Sequence, residues 1–387
     1  MRLKSFQYSE HEGNPQEWVL EGLTLGAKNL IVGKNASGKS RALNVIAGLA
    51  GFLSGVQQMS LSNNYDCLFV HGGVEYRYQL KIENEQVERE RLLIDGIEKL
   101  DREPGGTGRI WVENIPNVTY MPFKPPPSEV AAFSRRDSIQ HSFLEPLFEW
   151  ASTVRHHQFG TTLGKEALTI LQSGAPKVDE RNQTTVAALF RQGEKEFGQQ
   201  FLDAIVADMV IADYHIERAG LCPPVSIRIT AVQGLQFEPL VLYVKEVDLP
   251  GITDQISMSQ GMFRILSLLI QVNYFQLKRT STCLLIDDIG EGLDFDRSCR
   301  VINLLRFKTN NTDLQLVMST NDRFVMNDVP LEEWSVLQRT GNHVKVRNYL
   351  NSREIFEEFK FTGLSNFSFL ELDVLSEQAP DETGSHA

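Results

Sequence analysis

Cysteine is scarce in this chain. The four residues Cys67, Cys222, Cys283 and Cys299 form no CxxC pair and are too few to staple 387 residues, so reduced thiols in a cytoplasmic protein are expected. Long apolar runs are missing as well. No stretch approaches the roughly 20 uncharged residues that cross a bilayer, and MRLKSFQYSEHEG has no core of signal-peptide type, which speaks against secretion or a membrane. Positive charge is in deficit: 38 Lys and Arg face 50 Asp and Glu, for a net charge of −12. That balance excludes a dedicated nucleic-acid coat protein and leaves DNA only a local basic groove. Half of the excess lies in residues 351–387, where eight acids face two bases. Sustained heptads and internal repeats are absent too, so long coiled-coil arms are not expected.

What is present is an ordinary globular composition, 42% hydrophobic and 23% charged, in a chain long enough for more than one domain. The first 122 residues read as strands around one helix from about Lys39 to Leu53. Runs such as DCLFV, VEYRYQLKIE and ERLLIDG are broken at His71-Gly72-Gly73 and Asp95-Gly96, the punctuation of antiparallel hairpins. PFKPPPSEV can continue neither a helix nor a central strand and marks a boundary. Residues 123–222 read as mainly helical, with an apolar stripe at Phe197, Phe201, Leu202, Ile205, Val206, Met209 and Val210. Strands return at VSIRIT and EPLVLYVKEV and then alternate with helices from about Ser259 and Asp294, through CLLID and LQLVM. That alternation implies parallel crossovers. The end, SEQAPDETGSHA, reads as a disordered tail.

The segment GKNASGKS, residues 33–40, follows the apolar strand NLIV and precedes a helix. It fits GxxxxGK followed by Ser or Thr, the phosphate-binding loop. Gly33 and Gly38 let the backbone curl through Asn35, Ala36 and Ser37, so that successive N–H groups point inward at the positive end of the next helix. Lys39 reaches the β and γ phosphates of ATP, Ser40 offers its hydroxyl to Mg2+, and Arg41 completes the binding stretch.

Such a loop needs a carboxylate on a neighbouring strand end, and CLLIDDIGEGLD supplies Asp287 for the magnesium ion and Asp288 as a candidate general base. A calcium site formed with Asp294 and Asp296 lacks EF-hand spacing. Taken together, these ordered motifs resemble the ATPase heads of the ABC superfamily, in particular the SMC, RecF and OLD-like branch. MSQGMFR at 258–264 is similar to its signature sequence, with Ser259 and Gly261 in the key places. GEGLDFD resembles its D-loop, with Asp294 in the aspartate position, and LQLVMSTND its switch, with Asn321 where the family usually has His. The family usually has Glu at the position of Asp288. Asp is one methylene shorter, about 1.5 Å of reach, and Asn cannot take up a proton near neutral pH, so slow hydrolysis is implied.

The remaining motifs are weaker. Arg155-His156-His157, read on a helix, would point its two imidazoles about 100° apart and suits a capping or solvated role. Arg135-Arg136 and Lys278-Arg279 suit solvated surface. No GxSxG elbow occurs, and only Glu371 and Asp373 stand as acids near the tail for a metal-dependent nuclease.

The resulting expectation is an α/β P-loop NTPase head of ABC type with an antiparallel β lobe. It is assembled from residues 1–122 and 223–350 around a mainly helical insert, 123–222, with an acidic tail at 351–387. The resemblance implies an ATPase that pairs head-to-tail as a homodimer and acts on DNA or on a separately encoded effector or nuclease subunit, in phage defence or DNA repair. A regulatory scaffold that binds ATP and hydrolyses little is the alternative.

Overall fold

Residues 1–116, 119–162, 164–170, 178–226, 239–310, 312–372 and 374–375 are described by a computed structural model of the chain. Their contacts gather into two units, one of Met1–Thr153 together with the residues from Val317 onward, the other of Val154–Leu316.

In the first unit, β1 (Arg2–Glu10) pairs antiparallel with β2 (Trp18–Thr24). Alternation along them buries Leu3, Phe6, Tyr8, Trp18 and Leu20 on one face. β3 (Lys28–Val32) is buried from Asn29 onward. α1 (Lys39–Leu53) follows, and Ala42, Leu43, Ile46, Leu49 and Leu53 recur at helical spacing on its buried side. An antiparallel meander comes next: β4 (Ser62–His71), β5 (Val74–Glu83), β6 (Gln86–Ile94), β7 (Ile97–Arg102), β8 (Gly108–Trp111) and β9 (Tyr120–Phe123). Its turns fall where the sequence placed them, with positive φ at Gly72, Gly73, Asp95 and Gly96. Pro122 is accommodated because β9 is the edge strand of the sheet. α2 (Ala131–Ser134) is capped by the buried Glu90 carboxylate, which accepts the amides of Ala131 and Ala132. α3 (Glu145–Thr153) then sets Trp150 against Phe69.

The second unit holds β10 (Arg155–Gln158), β11 (Thr169–Ile170), α4 (Val186–Phe197), α5 (Gln199–Ile211), β12 (Ile216–Cys222), β13 (Pro239–Glu246), β14 (Thr253–Asp254), α6 (Gln260–Lys278), β15 (Thr282–Asp287) and α7 (Phe295–Lys308). The chain leaves it within β16 (Leu314–Ser319). β10 and β15 run parallel, whereas β13 lies between β11 and β12 and also carries β14. α6 is buried on every residue from Gly261 to Phe275 and packs on α4 and α5. The expected apolar stripe supplies part of that core through Phe201, Ile205 and Met209, while Val210 is exposed. Residues 155–157 are strand rather than helix. Most of VSIRIT and the tail from residue 376 lie outside the described residues.

Back in the first unit, α8 (Arg323–Asp328), β17 (Trp334–Thr340), β18 (His343–Asn348), α9 (Arg353–Phe361) and α10 (Ser368–Glu371) complete the fold. β17 lies parallel to β3, and β18 pairs antiparallel with β17 and parallel with β2. A parallel layer bearing the phosphate loop therefore continues into the antiparallel lobe. Among the described residues no helix is long and apolar enough to cross a membrane.

Candidate functional site

The phosphate loop leaves β3 at Gly33, where a side chain has no room. A Cβ there would stand 2.6 Å from Ser37 Oγ and 2.9 Å from the Leu337 carbonyl oxygen on β17. The chain then passes through two left-handed residues, Ala36 at φ 62° and Gly38 at φ 103°, and the Ser37 amide donates to the Lys34 carbonyl across the turn. Glycine holds the second position without strain, and a Cβ there would stand 3.1 Å from Cζ2 of buried Trp18. Gly38 is also the N-cap of α1 and provides no side-chain acceptor for the helix's first amides. These amides and the helix dipole make an anion site.

Lys39 is buried and folds over its own loop, donating to the carbonyl oxygens of Gly33 at 2.9 Å and Lys34 at 3.3 Å. The ammonium is thereby kept where a phosphate oxygen could replace those weaker dipolar acceptors. Ser37 Oγ is buried with no hydrogen-bond partner, a cost that an incoming acceptor or donor removes. Arg41 pairs with Glu10 and lies 4.4 Å over the Trp18 ring. Burial lowers its pKa, only partly offset by Tyr8. Arg339, from β17, braces the loop by donating to the Ala36 carbonyl at 2.9 Å. Asn35 is exposed on the loop. Asn321 is brought to this unit's phosphate side, because the adjacent Thr320 amide donates to the Ile31 carbonyl of β3. It precedes Asp322, the N-cap of α8.

The second unit carries the acids. Asp287 ends β15 and stands opposite Gln158 in the parallel ladder, and its carbonyl accepts the amide of Phe159 at 3.0 Å. Partners across a ladder share a face, so Asp287 and Gln158 present a carboxylate and an amide to the same side. His156, two residues back on that face, has its pKa lowered by burial and pulled the other way by Asp287. His157 points to the opposite face, fully buried beside Gln271, and burial with the neighbouring His156 holds it at about 3. Both are neutral imidazoles at neutral pH, and their opposite directions fit no shared metal.

Asp288 departs from the strand line. At φ 54° it opens a turn through Gly290 and Gly292, both at positive φ, closed by Glu291 N–H to Asp288 O and Leu293 N–H to Gly290 O. Its carboxylate consequently faces Gly160, where an added Cβ would lie 3.8 Å from Asp288 Oδ2. The two neighbouring acids thus point to different places.

Ser259 is the N-cap of α6, its hydroxyl accepting the Met262 amide at 3.1 Å. Gly261 lets the start of α6 approach the acidic turn, since a Cβ there would come within 3.0 Å of Leu293 Cδ2 and 3.3 Å of the Gly292 carbonyl oxygen. Asp294 caps α7, accepting the Arg297 amide at 2.9 Å and the Arg297 guanidinium at 2.7 Å. The amide bond, ahead of the guanidinium charge, lowers its pKa. Two residues escaped the sequence reading, Gln158 and Arg264. RHHQ carries no apolar alternation to announce a strand, and Arg264 within MSQGMFR shows its partners only in three dimensions.

Within the second unit, Asp287 and Gln158 offer hard oxygen donors on one face, the kind that suits magnesium carried mainly by phosphate oxygens and water. Among the described residues no three His, Cys, Asp or Glu side chains converge as a metal cage.

No protein-family model matches this chain, and no curated protein matches it in sequence. Solved structures do. One is an Smc head bound to the C-winged helix domain of ScpA, at 14% identity and a TM-score of 0.53, covering 92% of this chain and 100% of that one. Another is an Smc head domain with an extended coiled coil bound to the C-terminal domain of ScpA derived from Pyrococcus furiosus, at 12% identity, TM-score 0.47, and coverage of 92% and 99%. The SMC head domain from Thermotoga maritima follows at 13% identity, TM-score 0.42, and coverage of 90% and 99%. The first of these carries the comparison: this chain shares the mixed α/β fold of that Smc head.

Proposed function

We propose that this chain binds and hydrolyses ATP with Mg2+, pairs head-to-tail with a second copy around the nucleotide, and drives or regulates a DNA-directed process or a separately encoded effector in phage defence or DNA repair. The single observation that supports this most directly is the phosphate loop, with its uncapped helix start and Lys39 folded onto the loop carbonyls. The amides of residues 33–40 and the Lys39 ammonium hold the β and γ phosphates. Ser40, Asp287 and Gln158 are the oxygen donors for magnesium, which when bound neutralises charge on the phosphate oxygens.

Asp288 takes the proton of the attacking water as the water oxygen bonds to the γ phosphorus and the bond from phosphorus to the ADP oxygen breaks. Asn321 orients that water through its amide. Ser259, Gly261 and the start of α6, with Asp294, serve the nucleotide of the second copy through the helix dipole. Residues 123–222 are the docking surface for the effector.

Titration calorimetry with ATP and Mg2+, followed by steady-state turnover with and without DNA, tests this reading. A chain that binds no ATP overturns it. Asp288 in place of Glu, on a left-handed backbone, favours the second reading, a scaffold that binds ATP and turns over little. Trapped ATP without product release would select that one. The purified chain is expected to leave plasmid and linear DNA intact with Mg2+ or Mn2+, and metal-dependent cleavage abolished by a substitution that spares ATP binding would remove the need for an effector.

A further inference from the structure

Arg264 lies one turn beyond Gly261 on α6, largely buried, and its partners are three main-chain carbonyls. Nη1 donates to Glu291 O at 2.7 Å, Nη2 to Gly160 O at 2.9 Å, and Nε to Thr161 O at 3.1 Å. These carbonyls belong to two segments far apart in sequence, the exit of β10 and the turn that Asp288 opens. Both are walls of the Asp288 side chain. Gly160 faces its carboxylate, and Glu291 closes the turn that holds its backbone at φ 54°. Gly292, at φ 75°, leaves room for the guanidinium, since a Cβ there would come within 2.7 Å of Nη1.

A planar fork of donors can hold three carbonyls at once, which an ammonium on a flexible stem cannot reproduce. Left to itself, a left-handed aspartate in a turn with two glycines relaxes readily to other conformations. We infer that Arg264 is a positioning residue for Asp288: it clamps the exit of β10 to the acidic turn and so holds the base carboxylate in its hydrolytic direction. This rests on the proposed role of Asp288.

The test is single-turnover hydrolysis and ATP affinity for the wild type, Arg264→Ala, Arg264→Lys, Asp288→Asn and the double variant Arg264→Ala with Asp288→Asn. The expected result is a rate about 10- to 100-fold lower in Arg264→Ala, the penalty of misplacing a reacting group by about an ångström. Arg264→Lys is intermediate, and ATP affinity stays within about 3-fold. The double variant is no slower than Asp288→Asn alone, because both changes remove the same contribution. Unchanged hydrolysis, equal losses of affinity and rate, or multiplying losses in the double variant overturn the inference. Should Arg264→Ala fail to fold, Arg264→Lys carries the same comparison. A wild type without hydrolysis, or an Asp288→Asn variant as fast as wild type, overturns instead the reading on which the inference stands.

Discussion

In the phosphate loop, eight consecutive residues supply the turn, the helix start and the cation. In the acidic turn, the same compactness is reached by three segments: β10 and its exit lend Gln158 and Gly160, α6 lends Gly261 and Arg264, and the end of β15 with the turn after it lends Asp287 and Asp288. The first construction is written in main-chain geometry and is local. The second depends on side chains that meet only when the unit is packed. Damage to the loop should therefore abolish binding at one position, whereas damage to the turn should spare binding and be reachable from several.

The sharpest break is Lys39→Ala. Loss of the buried ammonium folded over the loop removes a charge-assisted contact to phosphate, and ATP affinity is expected to fall about 100-fold or more, read by calorimetry, with the thermal midpoint near wild type. Asp288→Asn is next. ATP affinity stays near wild type while turnover falls about 100-fold or more, in the range lost with a general base. Asp287→Asn instead weakens the magnesium-dependent part of binding. Equal loss of binding in the two variants would erase the distinction drawn between their directions.

A pair of glycine substitutions sharpens the contrast in stability. Gly33→Ala drives a methyl into Ser37 Oγ and into the Leu337 carbonyl, the second of them main chain that cannot yield, at a cost of about 1–3 kcal/mol. Gly261→Ala meets the flexible end of Leu293 at 3.0 Å, and the helix gains about 1 kcal/mol from alanine, so its net change stays within about 1 kcal/mol. Urea unfolding measures both.

The smallest effect concerns acid. His157 is held at about 3 in the folded chain against an ordinary 6.5, so the unfolded chain takes up the proton first. Its contribution is complete above pH 6.5 and is lost as pH falls toward 3, by about 1.4 kcal/mol per unit. His157→Gln should flatten the fall in stability between pH 6 and 5 by that slope, and an identical slope would show that His157 is not buried as a neutral ring.

Much of the local structure was legible in advance. α1 begins at Lys39 and ends at Leu53 as its periodicity required, and Ser259 and Asp294 head their helices because both are good N-caps. β10 was not legible. Its inward residues are Arg155, bonded to Val154 O and Glu180, and His157, beside Gln271, so burial there is achieved by specific polar partners and leaves no apolar rhythm to read. The consequence for the site was direct, since Gln158 and Gly160 belong to that strand and its exit. Strand order was equally hidden, because β3 and β17 are joined by pairing across most of the chain.

That last pairing has a consequence for synthesis. Leu337 and Arg339 wall and brace a loop that leaves the ribosome some 300 residues earlier. At about 5–20 residues per second, the nascent chain carries its phosphate loop for roughly 15–60 s before β17 emerges. During that interval β3 presents an unpaired hydrogen-bonding edge on the side β17 will occupy, and the Gly33 turn lacks the carbonyl that fits against it. Nucleotide capture should therefore be among the last properties the growing chain acquires, and ribosome-bound chains stalled before residue 334 should not retain ATP.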